Sequence, residues 1–273
     1  MWFLLLLAAA AAQRPPAPPT LPFNTSNTLS NSAVLQRDVN AALFGFGPVF
    51  CHFTVSLFNA SSTSAEAVVP GIIASDGTWR VTMPSKSAGG PYSLVGQLLP
   101  GMWLPPNATM NWTLTDIYFG DVVHCGGQSN MAYGLGGTKN AAADIAASVN
   151  YSNIRFVSAA FSFQNFSQAQ QADVNPWVVA SPSTVGGFSA VCYLTATRLS
   201  DAFNGTVPFG LIDSAVGGTA AQLWLPPRYA ASCADERVGE DWGAPWTLSC
   251  WFNGMASPWT AHDIKFFLWD QVS

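Results

Sequence analysis

Residues 116–131 are DIYFGDVVHCGGQSNM, and this stretch decides how the rest of the chain is interpreted. An apolar run that ends in two glycines is typical of a buried strand that turns sharply at its end. The turn exposes Ser129, and a helix starting after it would direct backbone N–H groups at the space above that serine. We therefore expect a strand, a tight turn carrying an exposed hydroxyl, and then a helix N-terminus.

Downstream of this stretch, segments with the patterns of strands and helices alternate. Helices are expected over 141–149 and 188–203 and after Gly217-Gly218-Thr219, and strands over 154–159, 208–216 and 264–269. This alternation implies a parallel sheet covered on both faces, with ligands bound at the carboxyl ends of its strands. The glycine loop 214–219 would then lie beside Ser129. Because no helix follows the last strand, we expect an incomplete three-layer α/β/α domain over 116–273.

Upstream, residues 29–115 have the pattern of an all-β domain. Short apolar segments alternate with turns such as Ser75-Asp76-Gly77, and strands are expected over 41–46, 51–58, 67–73, 78–83 and 92–98. Regular strand spacing of this kind favours a β-sandwich. No titratable cluster lies in it, so its expected role is structural. The predicted fold class is α/β, with this sandwich preceding the α/β domain.

The composition excludes several classes of protein. Of the 273 residues 49% are hydrophobic and only 9% charged, and the net charge is −5. A nucleic-acid-binding protein would need a basic stripe, and a disordered tail would need far more charge. After the first dozen residues no apolar run approaches the roughly 18–20 residues of a membrane span. We expect neither a nucleic-acid partner nor a membrane span, and the oligomeric state stays open.

The N-terminus has the features of an exported protein. Trp2–Ala12 is an uninterrupted apolar run that ends in small residues, which predicts a signal peptide over 1–12, followed by a Pro/Asn-rich linker over 13–28. Seven Asn-x-Ser/Thr acceptors follow, at Asn24, Asn59, Asn107, Asn111, Asn150, Asn165 and Asn204. We expect a glycosylated protein of the secretory pathway, either secreted or lysosomal.

The five cysteines are an odd number for an oxidising compartment. A free thiol, an intermolecular bridge, or a partner cysteine missing from this sequence would each account for the unpaired one. Cys233 and Cys250 flank an acidic loop that a disulfide between them would close. The spacing of the five cysteines matches no zinc pattern, and no metal or other cofactor is expected.

Several blocks of the sequence resemble the sialate O-acetylesterases, which are SGNH-type serine esterases. Residues 120–131 are similar to the nucleophile block of that family, G-[DE]-V-W-x-C-S-G-Q-S-N-M. Further similar blocks follow in the same order from about Leu29 to Gln271: 34–36, 89–92, 190–193, 210–219 with Trp224, 251–258 and 269–271. The elbow of the α/β-hydrolases, Gly-x-Ser-x-Gly, is not matched because residue 131 is Met.

The resemblance implies a site and a reaction. Ser129 would be the nucleophile that becomes acetylated, with Gln128 and Asn130 supporting its loop. The backbone N–H groups of Ser129 and of Gly217 or Gly218 would stabilise the oxyanion. The family's Asp-x-x-His base lies beyond the block that begins at Trp269, and the sequence stops at Ser273.

Within the chain, four titratable residues are weak substitutes for that base and its carboxylate. His124 belongs to Asp121-Val122-Val123-His124, but we expect it in the core of a strand. His52 and His262 are expected at the surface or in packing contacts, and Asp213 as a loop cap or, less favoured, as an orienting group.

Two functions follow. The first is a serine esterase that removes O-acetyl groups from sialic acid or a related sugar. The second is a catalytically inactive, truncated form that at most binds glycans. Because the base and its carboxylate are not matched, the sequence leaves open which of the two hypotheses applies to this chain.

Overall fold

A computed structural model describes residues 22–101, 104, 108, 110–165, 167, 172, 174–230 and 248–271. The expected signal peptide, the first part of the expected linker, Asn107 and Cys233 lie outside the described residues. The end of that linker is folded: Phe23 is buried, and Asn24 and Thr25 pair with another strand. Among the helices of the described ranges, none is long and apolar enough to cross a membrane.

The N-terminal half consists of two sheets that share a core. Its strands are β1 (Asn24–Thr25), β2 (Val34–Gln36), β3 (Ala41–Phe46), β4 (His52–Asn59), β5 (Ala65–Ile72), β6 (Thr78–Met83) and β7 (Gly89–Leu98). One sheet has the order β1-β3-β6, and the other runs β5-β4-β7 and continues into the second half. Alternate residues of β4 point inward, where Phe53, Val55 and Leu57 are fully buried.

One long strand, β8 (Asn111–Gly127), joins the two halves of the molecule. Its first part pairs antiparallel with β7, and its second part pairs in parallel with strands of the C-terminal half. The predicted change of pattern at Asp116 therefore falls inside one strand. Asp116 has a φ of +57° at a shift in register, and the Ser32 hydroxyl and the Arg155 guanidinium donate to its carboxylate.

The C-terminal half is a mostly parallel sheet with few helices. Its elements are α1 (Ala141–Ala147), β9 (Ile154–Ser158), β10 (Val178–Val179), α2 (Ala190–Ala202), β11 (Phe209–Ala215), α3 (Pro227–Ala230) and β12 (Phe266–Asp270). β11 lies between β9 and β8, β12 pairs with β8, and only β10 is antiparallel to its neighbour. The predicted α/β class is confirmed, as are the strands and helices expected near 141–149, 154–159, 188–203, 208–216 and 264–269.

Two expected helices are absent from the described residues. The chain after Ser129 makes a single turn, and α1 begins only at Ala141 because Gly134, Gly136 and Gly137 interrupt it. After Gly217-Gly218-Thr219 there is only a short 3₁₀ helix, Ala221–Trp224. Both glycine loops are thus held by specific contacts rather than by a helix.

Candidate active site

The carboxyl ends of three parallel strands meet at one edge of the sheet. In the registers of these strands, Gly127 of β8 lies beside Ala215 of β11 and also beside Asp270 of β12. The loops that follow β8 and β11 therefore face each other, as the sequence predicted for 128–131 and 214–219.

Ser129 lies in a turn that only glycine allows the chain to enter. Gly127 has a φ of +135°, and a Cβ added there would lie 2.0 Å from the carbonyl oxygen of Asp270. Beyond it, the backbone N–H of Gln128 donates to that same carbonyl at 2.9 Å, and Ala132 N–H donates to the carbonyl of Gln128 at 2.9 Å. This turn leaves Ser129 and Asn130 exposed while Met131 is buried beneath them.

The second loop places glycine directly against the serine. A Cβ added to Gly217 would lie 3.6 Å from Cα of Ser129, and Gly218 has a φ of +77°, which a side chain would strain. The structure thus brings together Ser129, Gly217 and Gly218, three residues predicted from the sequence. Asn130 is beside them, and its part in supporting the loop stays a prediction.

The side chain of Gln128 connects the two loops. Its amide oxygen accepts a hydrogen bond from the Ser129 hydroxyl at 2.5 Å and another from the Gly218 backbone N–H at 3.1 Å. Gln128 is almost completely buried, with 9% of its surface exposed. The hydroxyl and the backbone donor therefore converge on a single oxygen atom.

Thr219 fixes the far side of the glycine loop. Its hydroxyl donates to the carbonyl of Val216 at 2.7 Å and accepts from the indole N–H of Trp224 at 2.9 Å. Gln271, which directly follows β12, gives its side-chain amide N–H to the Thr219 carbonyl at 2.7 Å. In this structure Gln271 thus supports the glycine loop.

Comparison with known proteins gives consistent matches. The sialate O-acetylesterase of Mus musculus is 29% identical over 243 residues, which are 84% of this chain and 43% of that protein. That of Homo sapiens is 28% identical over 91% of this chain and 48% of its own length. A solved carbohydrate acetylesterase from Xanthomonas citri superposes with a TM-score of 0.76 at 27% identity, over 92% of this chain and 51% of that one. No protein-family model matches.

The chain is similar to the sialate O-acetylesterases over most of its length. The resemblance inferred from the sequence blocks is thereby confirmed. The chain spans less than half the length of these curated relatives.

Segments that separately resemble the sialate O-acetylesterase family come together beside the Ser129 loop. Trp224 is stacked on Trp251, with ring centres 6.1 Å apart, and meets Trp269 edge-on at 5.7 Å. The Ser214 hydroxyl donates to the carbonyl of Met255 at 2.9 Å. The loop after β11, the segment around 251–258 and the end of β12 therefore form one packed unit.

A disulfide that the sequence did not predict anchors the same strand end. Cys125 of β8 is bonded to Cys192 of α2, with their Cα atoms 6.0 Å apart. α2 begins at the Ser189 N-cap, whose hydroxyl oxygen accepts the N–H of Cys192 at 3.2 Å. The only signal in the sequence was export of a chain with several cysteines, which does not identify a pair. The proposed Cys233–Cys250 bridge cannot be placed, since Cys233 lies outside the described residues.

The three histidines of the chain all lie in the described ranges, and none of them bonds Ser129 there. His124 is buried on β8 beside Phe267, and this burial lowers its pKa to about 4. His262 packs edge-on against Phe44, and its Nε2 pairs with the hydroxyl of Thr28; burial lowers its pKa to about 3. His52 is exposed at the start of β4.

Asp213 is a half-buried residue close to the site, and one of its carboxyl oxygens is buried. It lies in β11 beside Cys125 of β8 and Ser158 of β9, two residues before the strand ends. One of its oxygens has no hydrogen-bond partner among the described residues, and burial raises its pKa from 3.8 to about 7, partly offset by a backbone hydrogen bond from Ala215. That bond resembles the loop cap expected from the sequence.

Replacing Asp213 should change how stability depends on pH. As the pH rises from 4 to 7, the unfolded chain loses the Asp213 proton while the folded chain keeps it, so this group makes the free energy of unfolding fall. In the wild type this loss should be on the order of 2–3 kcal/mol, and it should be absent from Asp213→Asn. Urea unfolding at pH 4, 6 and 8 measures the free energy of unfolding of both proteins. The exposed carboxylate variant Asp201→Asn is the control, and an unchanged pH slope in Asp213→Asn would show that Asp213 is ionised at neutral pH.

Proposed function

We propose that this chain carries the nucleophile half of an esterase that removes O-acetyl groups from a sugar, with Ser129 as the nucleophile. The observation that carries this proposal is the convergence of the Ser129 hydroxyl and the Gly218 N–H on one oxygen position. The relatives named sialate O-acetylesterase and carbohydrate acetylesterase support the acetyl ester of a sugar as substrate. We propose that the sugar is sialic acid or a related one. We also propose that the fold consists of a β-sandwich over 29–115 and an SGNH-type domain from Asp116 onward.

In the proposed reaction, the Ser129 oxygen attacks the carbonyl carbon of the acetyl group and its proton is passed to a base. The carbonyl oxygen becomes an oxyanion, which the N–H groups of Ser129 and of Gly217 or Gly218 stabilise. The sugar hydroxyl leaves with a proton, and water then hydrolyses the acetyl-serine. The chain supplies the nucleophile and the backbone oxyanion donors of this reaction, and no cofactor enters it.

The general base is the part that this chain does not supply in the described structure. His124 is buried and packs against Phe267, half-buried His262 bonds Thr28, and His52 is on the exposed end of β4. The family resemblance assigns the base to an Asp-x-x-His motif beyond the block at Trp269. The rival proposal, an inactive glycan-binding form, follows from the same observation.

Acetate release distinguishes the two proposals. The 273-residue chain is incubated with O-acetylated sialic acids and, in parallel, with an O-acetylated xylan, and free acetate is measured against Ser129→Ala. Slow, Ser129-dependent release is the expected result, and its preference between the two substrates identifies the sugar class. Saturable binding of both glycans without any Ser129-dependent acetate would establish the rival.

Export and glycosylation form a separate prediction. Asn24, Asn111, Asn150, Asn165 and Asn204 are exposed, and Asn59 is half-buried. The protein secreted from a eukaryotic host should begin near residues 11–14 and lose mass on treatment with a peptide N-glycosidase. Asn150→Gln should remove one glycan. A cytosolic, unglycosylated product that retains Met1 would contradict the prediction.

A further inference from the structure

The atom of Gln128 that faces the two donors must be its amide oxygen. A backbone N–H can only donate, so the Gly218 N–H at 3.1 Å requires an acceptor. The Ser129 hydroxyl lies 2.5 Å from that same oxygen and therefore donates to it. The orientation of the Gln128 amide, which distances alone leave ambiguous, is thus fixed by the Gly218 donor.

This oxygen lies where the oxyanion of a reacting ester would lie. In the tetrahedral intermediate the oxyanion and the serine oxygen are bonded to the same carbon, and the oxyanion is about 2.7–3.1 Å from its donors. The Gln128 oxygen lies 2.5 Å from the Ser129 oxygen and 3.1 Å from the Gly218 nitrogen, so it fits the oxyanion position with respect to the nucleophile and to the Gly218 donor. Two oxygens cannot occupy this position together.

We propose that Gln128 fills the oxyanion position of the resting site and must rotate away before an acyl group can bind. The backbone need not move, because Gln128 N–H and the Gln128 carbonyl are held by Asp270 and Ala132. While the Gln128 side chain stays in place, the Ser129 hydroxyl donates its proton to the Gln128 oxygen and cannot donate it to a base. This inference rests on the proposed function, and it makes Gln128 a positioning residue that keeps the Ser129 and Gly218 loops aligned until an acyl group binds.

The first test reports on the contact without requiring activity. Hydrogen exchange of the Gly218 amide is measured by NMR on the ¹⁵N-glycine-labelled 273-residue chain. The amide should be protected in the wild type, unprotected in Gln128→Ala, and protected again in Gln128→Glu, whose carboxylate also accepts. Protection that survives in Gln128→Ala would overturn the proposal, whether or not the chain is an esterase.

The second test separates occupation of the site from simple support. Phenylboronic acid forms a tetrahedral anionic adduct with a reactive serine and places an oxygen in the oxyanion position. Gln128→Ala should bind it about 5-fold more tightly, because no hydrogen bonds to the glutamine oxygen are lost on binding. Gln128→Glu should bind it roughly 10-fold more weakly, because two negative charges then meet.

Opposite changes in the two variants are the expected signature. If both variants bind the boronate more weakly than the wild type, Gln128 only supports the loop and the proposal is wrong. Ser129→Ala identifies failure of the proposed function: boronate binding that persists in this variant would remove Ser129 as the nucleophile, while the exchange of the Gly218 amide still decides the role of Gln128.

Discussion

The 273-residue chain is expected to hydrolyse 4-nitrophenyl acetate on the order of 10⁴-fold or more slowly than a serine esterase with a complete triad. The physical reason is the protonation of Ser129. Its hydroxyl donates to Gln128 rather than to an imidazole, and a serine without an adjacent base is almost entirely protonated at neutral pH. The residual rate of hydrolysis then comes from the oxyanion donors and from substrate binding alone.

Added imidazole should partly restore this activity. It can enter the exposed site and accept the Ser129 proton, so the rate of hydrolysis by the wild type should rise with imidazole concentration. The rate measured with Ser129→Ala at the same imidazole concentration is subtracted as the background. His52→Ala should behave like the wild type. Rapid turnover without imidazole that is lost in His124→Ala would show that His124 is the base and that its position in the core was misjudged.

Removing the Cys125–Cys192 disulfide should lower the free energy of unfolding by about 2–5 kcal/mol. The bond closes a long segment of chain and ties the end of β8 to the first turn of α2, directly below the Ser129 loop. The variant Cys125→Ala/Cys192→Ala is compared with the wild type by urea unfolding under oxidising conditions.

Cys51→Ala is the matched control, because Cys51 is also buried but belongs to the N-terminal core. Cys51→Ala should change the free energy of unfolding while leaving the Cys125–Cys192 bridge intact. If the double variant is no less stable than this control, the bridge is absent from the folded protein in solution.

The patterns of apolar residues predicted the sheet well. β11 and α2 were found close to their expected bounds, because a buried parallel strand and a helix packed against it carry strong local patterns. The two glycine loops also met as expected, since parallel strands end at the same edge. Local sequence therefore placed Ser129 and Gly217 in one site.

The features that the sequence did not reveal depend on contacts between distant residues. The Cys125–Cys192 bond depends on how α2 lies on the sheet, and the contact of Gln128 with Gly218 depends on how two loops meet. The expected helix after Ser129 was wrong because the glycines downstream oppose it and the turn is held by Asp270 of another strand. β8 crosses Asp116 unbroken because the strand changes partners there.

The identity of the acetylated residue tests the central claim most directly. The 273-residue chain is mixed with 4-nitrophenyl acetate, quenched with acid, digested and examined by mass spectrometry, with Ser129→Ala treated in the same way. We predict one acetyl group on Ser129 itself. This acetyl-serine should accumulate because its hydrolysis, like its formation, proceeds without a general base. Acetyl groups found only on lysines, in equal amounts in both proteins, would contradict the assignment of Ser129 as the nucleophile.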